Sequence, residues 1–130
     1  ELHSAEKLHP CFIIYRFENQ KKFFWTLNDE EKEELKKEIS IAMDFARKTI
    51  EKEECNILVL DEILGALQNK LVSLEEIKEF IERKPCHMEL ILTGRNAPEE
   101  LIRLADLVTE MKKIKHPADR QISSREGIEL

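Results

Sequence analysis

The sequence predicts an α/β domain built around a parallel sheet. Strand-type and helix-type segments alternate along the chain. Two continuous apolar runs, residues 57–60 and 90–92, each stop abruptly in a polar turn. With 3 glycines and 4 prolines in 130 residues, the chain has too few turn formers for an all-β protein.

The elements follow in order. Residues 11–17 (CFIIYRF) are β-branched and aromatic and predict a strand. Residues 19–26 form a connection ending in Phe23-Phe24-Trp25. Asn28 or Asp29 then offers a helix N-cap, and acids in the first turn complement the helix dipole. Leu35, Ile39, Ala42, Ala46 and Ile50 recur at steps of three and four, predicting a helix to about residue 53. Its Glu/Lys face reads as solvated surface.

Residues 56–60 predict a strand buried on both faces, ending in Asp61-Glu62, with a helical stretch to about Asn69. Ser73-Leu74-Glu75-Glu76 fits a capping box, opening a helix that Pro85 ends. Residues 88–92 predict a second buried strand, stopped by Thr93-Gly94-Arg95. Asn96-Ala97-Pro98 with Glu99 and Glu100 opens a helix to about Ala105, and residues 107–114 predict a more polar strand nearer an edge. The tail from residue 115 has no clear periodicity. Four strands alternating with three helices imply right-handed crossovers, with ligands at the strands' carboxyl ends.

Composition narrows the classes. A single domain of this length buries roughly two-thirds of its unfolded surface. The formal charge of −6 disfavours a nucleic-acid backbone as partner. No apolar run spans a membrane and no signal peptide is visible. Cys11, Cys55 and Cys86 form no C-x-x-C pair, an odd count that suits a reducing, cytoplasmic setting. Cys86-His87 lacks the second pair a zinc site needs.

Each candidate site has a plain reading beside it. Asp61-Glu62 carries two carboxylates to the ligand edge of the sheet, suited to a magnesium ion that keeps waters and phosphate oxygens. The plain alternative is an N-cap at Asp61 and a solvated Glu62. Thr93-Gly94-Arg95 combines close backbone approach with a phosphate-forking arginine, or is an ordinary turn. Phe23-Phe24-Trp25 holds the only tryptophan and is either a hydrophobic plug or a ligand-facing wall. His116 reads as a solvated loop residue.

Together these motifs resemble the phosphate-loop type of ATP:corrinoid adenosyltransferases, which act on cob(I)alamin and cob(I)yrinic acid a,c-diamide. The resemblance runs through Glu6-Lys7-Leu8, Phe23-x-Trp25, Leu58-Val59-Leu60-Asp61-Glu62 and Pro85. It is most specific in Thr93-Gly94-Arg95-Asn96-Ala97-Pro98-Glu99-Glu100-Leu101 and Ala105-Asp106-Leu107-Val108-Thr109-Glu110-Met111. It closes with Lys115-His116-Pro117 and Gly127-Ile128-Glu129. Leu130 stands where relatives commonly carry an aromatic. The family also opens with a strand and a G-x-G-K-G-K-[ST] loop, and residues 1–130 contain nothing like it.

The resemblance implies a RecA-like, three-layer phosphate-loop fold, of which residues 1–130 would form the C-terminal two-thirds. It implies transfer of the 5′-deoxyadenosyl group from ATP to the Co(I) of a corrinoid, with release of triphosphate. Phe23 and Trp25 would pack on the corrin and exclude its lower axial ligand, which eases reduction of Co(II). Asp61 and Glu62 would hold Mg2+, while Thr93, Gly94 and Arg95 would serve the nucleotide. The implied partners are ATP, a corrinoid (cobalamin, cobinamide or the a,c-diamide), an electron donor such as a flavoprotein, and a second copy in a homodimer. Without the glycine-rich loop, the 130-residue chain alone is expected to be inactive. Two other readings are a corrinoid-binding relative that does not use ATP, and a different phosphate-loop NTPase, which would not need Phe23-x-Trp25.

Overall fold

The computed structural model describes residues 2–19 and 24–125. The chain opens with the short helix α1 (Leu2–Ala5), running into a 3-10 turn at Glu6–Leu8. The long helix α2 (Asp29–Glu51) starts where the sequence places it. Asn28 Oδ1 accepts from the Glu31 amide at 2.8 Å, and the Glu31 carboxylate accepts from the Asn28 amide at 2.9 Å. This capping box satisfies two amides that a helix start otherwise leaves open. Leu35, Met43, Ala46, Thr49 and Ile50 form the buried face of α2.

Strand β1 (Ile57–Leu60) follows, then the short helix α3 (Ile63–Gln68) and helix α4 (Leu74–Arg83). The Ser73 capping box is present, with Ser73 Oγ accepting from the Glu76 amide at 3.2 Å. Lys84 leaves the helical region ahead of Pro85, as the residue before a proline tends to do. Strand β2 (Glu89–Leu92) and helix α5 (Glu99–Leu104) complete the regular elements, and a 3-10 turn covers Pro117–Arg120.

β1 and β2 pair in parallel, Ile57 opposite Glu89 through Leu60 opposite Leu92. The core gathers Met43, Ala46 and Ile50 from α2, Ile63 and Leu64 from α3, Ile77 and Phe80 from α4, and Met88 and Leu101. Helices α2 and α4 run side by side in one direction. Arg47 reaches Glu79 at 3.8 Å and stacks 5.7 Å over the Phe80 ring, and Arg83 reaches Glu51 at 3.9 Å.

Three expectations require correction. Strands β1 and β2 are not buried on both faces. Leu58, Leu60, Leu90 and Leu92 pack toward the helices, while Ile57, Val59 and Ile91 on the opposite face are 57%, 48% and 46% exposed. Successive strand side chains alternate faces, and among the described residues helices cover only one.

Residues 11–17 form no strand. Tyr15 and Phe17 instead lie on Phe45 of α2, with ring centroids 4.5 and 5.3 Å apart, and Asn19 bonds Glu38 at 2.9 Å. Residues 107–114 form no strand either, and Leu107, Met111 and Ile114 are 84%, 94% and 90% exposed. The cause is the same in both segments. Strand propensity measures fit to neighbouring strands and to a covered face, and the two-stranded sheet gives these segments no ladder to join. Two strands therefore form among the described residues where four are predicted.

Among the described residues, no helix is long and apolar enough to cross a membrane. The uncovered sheet face and the exposed Leu107, Val108, Met111 and Ile114 have a measurable consequence. Contiguous exposed apolar surface of this kind drives association, so the 130-residue chain is expected to self-associate with rising concentration in sedimentation velocity. A single monomeric species across tens of micromolar would show that water tolerates this face.

Candidate functional site

The site forms where β1 and β2 end side by side. The register sets Leu60 beside Leu92, so the next residues, Asp61 and Thr93, become neighbours although 32 positions apart. Every polar atom of Thr93 is spent on residues 60–64. Its amide donates to the Leu60 carbonyl (3.2 Å), and its carbonyl accepts from the Leu64 amide (3.2 Å). Its hydroxyl donates to Asp61 Oδ1 (2.6 Å) and accepts from the Glu62 amide (2.8 Å).

Glu62 stands at φ 55°, ψ 21°, in the left-handed region that non-glycine residues seldom enter. It occupies the cap position of α3 without a side-chain capping bond. Asp61 is likewise not an N-cap: its carboxylate turns to Thr93. Both acidic residues are solvent-exposed.

Gly94 makes the close approach possible. At φ 132°, a Cβ there would stand 2.7 Å from Leu64 Cβ and 3.2 Å from the Leu64 amide nitrogen. The following turn is held from α3, where Gln68 Nε2 donates to the Arg95 carbonyl at 2.9 Å. Gln68 carries no motif signal. Only the folded chain shows that it anchors the turn presenting Arg95, whose side chain is exposed.

The cluster thus unites Asp61, Glu62, Thr93 and Gly94, with Arg95 at its margin. Two exposed carboxylates are hard oxygen donors, and one Asp61 oxygen is already engaged by Thr93. Among the described residues, no group of three His, Cys, Asp or Glu could enclose a metal ion. Such a donor set fits magnesium, which commonly takes one or two carboxylates and leaves its remaining positions to water and phosphate oxygens.

Trp25 stands on a separate segment, a 3-10 turn at Phe24–Thr26 leading into the Asn28 cap. Its side chain is 77% exposed, whereas Leu27 beside it is buried and Phe24 half-buried beneath Lys32. Helix α2 enters the N-terminal end of β1 through residues 52–56. Phe23 and the terminal Gly127-Ile128-Glu129 lie outside the described residues.

The Lys115-His116-Pro117 stretch is more ordered than a solvated loop. His116 Nδ1 accepts from the Ala118 amide at 3.1 Å, and the His116 amide donates to Asp119 at 3.1 Å. The Lys113 ammonium, 2.6 Å from Asp119, holds that carboxyl below its ordinary range, and the His116 amide adds to this. The contact therefore tightens the turn above the ordinary carboxylate range and loosens as pH falls through the lowered value.

All three cysteines are free thiols. Burial, and then the Glu54 charge, push the Cys55 thiol up. His87, beside Cys86, lies 3.4 Å from Glu53.

Comparison with known proteins gives this geometry a context. A corrinoid adenosyltransferase of Sinorhizobium sp is 41% identical over 90 residues, covering 68% of this chain and 42% of the relative. One from Pseudomonas aeruginosa is 30% identical over 108 residues, 83% of this chain and 52% of its own. Corrinoid adenosyltransferase CobA of Salmonella typhimurium is 31% identical over 74 residues, 57% of this chain and 38% of its own. The matched stretches thus span between 38% and 52% of these relatives' lengths. The model of the family described as ATP:corrinoid adenosyltransferase BtuR/CobO/CobP matches residues 1–130, the whole of the sequence. On that match the chain belongs to the ATP:corrinoid adenosyltransferase family.

Proposed function

We propose that this chain supplies the metal-carboxylate and corrin-facing parts of an enzyme that adenosylates a corrinoid. The observation that carries the reading is the pair of exposed acidic residues at the ends of two parallel strands, Asp61 tied to Thr93 through its carboxylate and Glu62 through its backbone amide. In the reaction, the electron pair of Co(I) attacks the 5′ carbon of ATP and forms the Co–C bond. The C5′–O bond breaks, its electrons leave with the triphosphate, and cobalt ends formally as Co(III). The nucleophile carries no proton, so no general base is required. The protein's tasks are alignment and stabilisation of charge on the departing triphosphate.

Asp61 and Glu62 would hold Mg2+, which supplies positive charge to the phosphate oxygens. Thr93, Gly94 and Arg95 serve the nucleotide side, Arg95 as a fork onto phosphate. Phe23 and Trp25 pack on the lower corrin face and exclude the axial donor, which favours the electron-rich lower oxidation state. An electron donor of the flavoprotein class gives one electron to the corrinoid's Co(II) and so forms Co(I). The setting is cytoplasmic and the assembly a homodimer. A phosphate loop outside residues 1–130 completes a RecA-like three-layer domain, so the 130-residue chain alone binds magnesium-ATP poorly and is inactive. The paired carboxylates favour this reading over corrinoid binding without ATP, for which they would have no task.

Trp25 provides the test, made in the whole protein. Trp25→Ala is expected to cripple turnover of Co(II) substrate with a biological reductant. Much of the activity should survive when Co(I) is supplied by strong chemical reduction. Equal losses in the two assays would assign Trp25 to general binding or folding instead.

A further inference from the structure

We infer that Thr93 is a positioning residue, serving the nucleotide through Asp61 and Glu62 instead of donating to a phosphate itself. The inference rests on the reading that Asp61-Glu62 hold the metal. Its warrant is the hydroxyl's own capacity: one proton to donate and two lone pairs to accept with. The proton goes to Asp61 Oδ1 at 2.6 Å, and one lone pair takes the Glu62 amide proton at 2.8 Å. What remains is a single lone pair, which repels a phosphate oxygen. Thr93 cannot donate to phosphate without releasing Asp61.

Both bonds act on the orientation of the carboxylates. The bond to Oδ1 restricts the rotation of the Asp61 side chain and leaves Oδ2 as the oxygen for the metal. The bond from the Glu62 amide helps hold Glu62 in its left-handed conformation at φ 55°. Residues kept in such sparsely populated regions are held there by their surroundings, and they cluster at functional sites. The backbone of Thr93 adds two further ties, to Leu60 and Leu64. The backbone of Thr93 is therefore tied on both sides of the Asp61-Glu62 turn, and its hydroxyl between them.

The experiment uses the whole protein and three variants: Thr93→Val, which keeps shape and loses the hydroxyl, Thr93→Ser, which keeps the hydroxyl, and Glu62→Gln. The readouts are Mn2+ affinity in the presence of ATP by electron paramagnetic resonance, ATP affinity without divalent metal, and hydrogen-exchange protection of the Glu62 amide. Groups that orient metal ligands typically cost about 10–100-fold in metal affinity when removed. Thr93→Val is expected to lose Mn2+ affinity in that range and the Glu62 protection, with metal-free ATP affinity unchanged. Thr93→Ser should match the native protein in all three readouts.

Native Mn2+ affinity in Thr93→Val, or an equal loss of metal-free ATP affinity, would overturn the inference. Loss of Mn2+ affinity in Thr93→Ser would overturn it as well, assigning the effect to packing of the methyl group, and this arm stands even if Thr93→Val fails to fold. Unchanged Mn2+ affinity in Glu62→Gln would instead sink the underlying metal assignment of Glu62. A drop there with none in Thr93→Val would leave that assignment standing and defeat only the role given to Thr93.

Discussion

Gly94→Ala is expected to be among the most damaging single-methyl changes in this chain. The added Cβ would stand 2.7 Å from Leu64 Cβ, and Leu64 is a core residue 6% exposed. The backbone cannot simply swing away. The Thr93 carbonyl just before Gly94 accepts from the Leu64 amide, and Gln68 holds the Arg95 carbonyl just after it. The glycine also sits at φ 132°, where a side chain is strained whatever the space. Backbone strain of about 1–3 kcal/mol and overpacking of about 1–3 kcal/mol give a loss of roughly 2–6 kcal/mol. That is a large share of the roughly 5–15 kcal/mol that keeps a domain folded.

Gly65→Ala is the internal control. A Cβ at Gly65 meets only Glu62 Oε2 at 3.7 Å, an ordinary contact, and the residue lies within α3. Replacing a helical glycine there should stabilise by about 0.5–1 kcal/mol. Urea or thermal unfolding of the two variants should move them in opposite directions. Equal midpoints would show that the turn after β2 relaxes freely.

Glu62→Gln should give the largest loss of rate. It keeps shape and removes the negative charge that, on the proposed reading, holds the Mg2+ serving the triphosphate. Removing a group that stabilises developing charge costs about 10²–10³ in rate. Turnover of the whole protein should fall by that factor at limiting Mg2+, while corrinoid binding, followed by absorbance titration, survives. An unchanged rate at limiting Mg2+ would place the metal on other ligands.

The parts of this fold legible in the sequence are those fixed by local chemistry. Asn28 and Glu31, or Ser73 and Glu76, satisfy each other across three residues, and the caps of α2 and α4 need nothing beyond their own turns. The apolar runs of β1 and β2 were equally plain. Residues 11–17 and 107–114 have comparable strand character but need a neighbour to pair with, and a propensity does not say whether one is present. Tyr15 and Phe17 accordingly settle on Phe45 of α2.

At the candidate site, residue types and strand ends were readable, but the bonds between them were not. That Thr93 would meet Asp61 depends on the pairing of β1 with β2. That Glu62 would be left-handed depends on the Thr93 hydroxyl and on how closely Leu64 packs against Gly94. These are consequences of register and close packing, which no single segment encodes.

The most direct test of the account is the product balance of the whole protein with Co(I) cobalamin and magnesium-ATP. The expected result is one equivalent of triphosphate for each new Co–C bond, with adenosylcobalamin as the product. Release of ADP and phosphate without a Co–C bond would contradict it, and would assign Asp61 and Glu62 to ordinary phosphate hydrolysis.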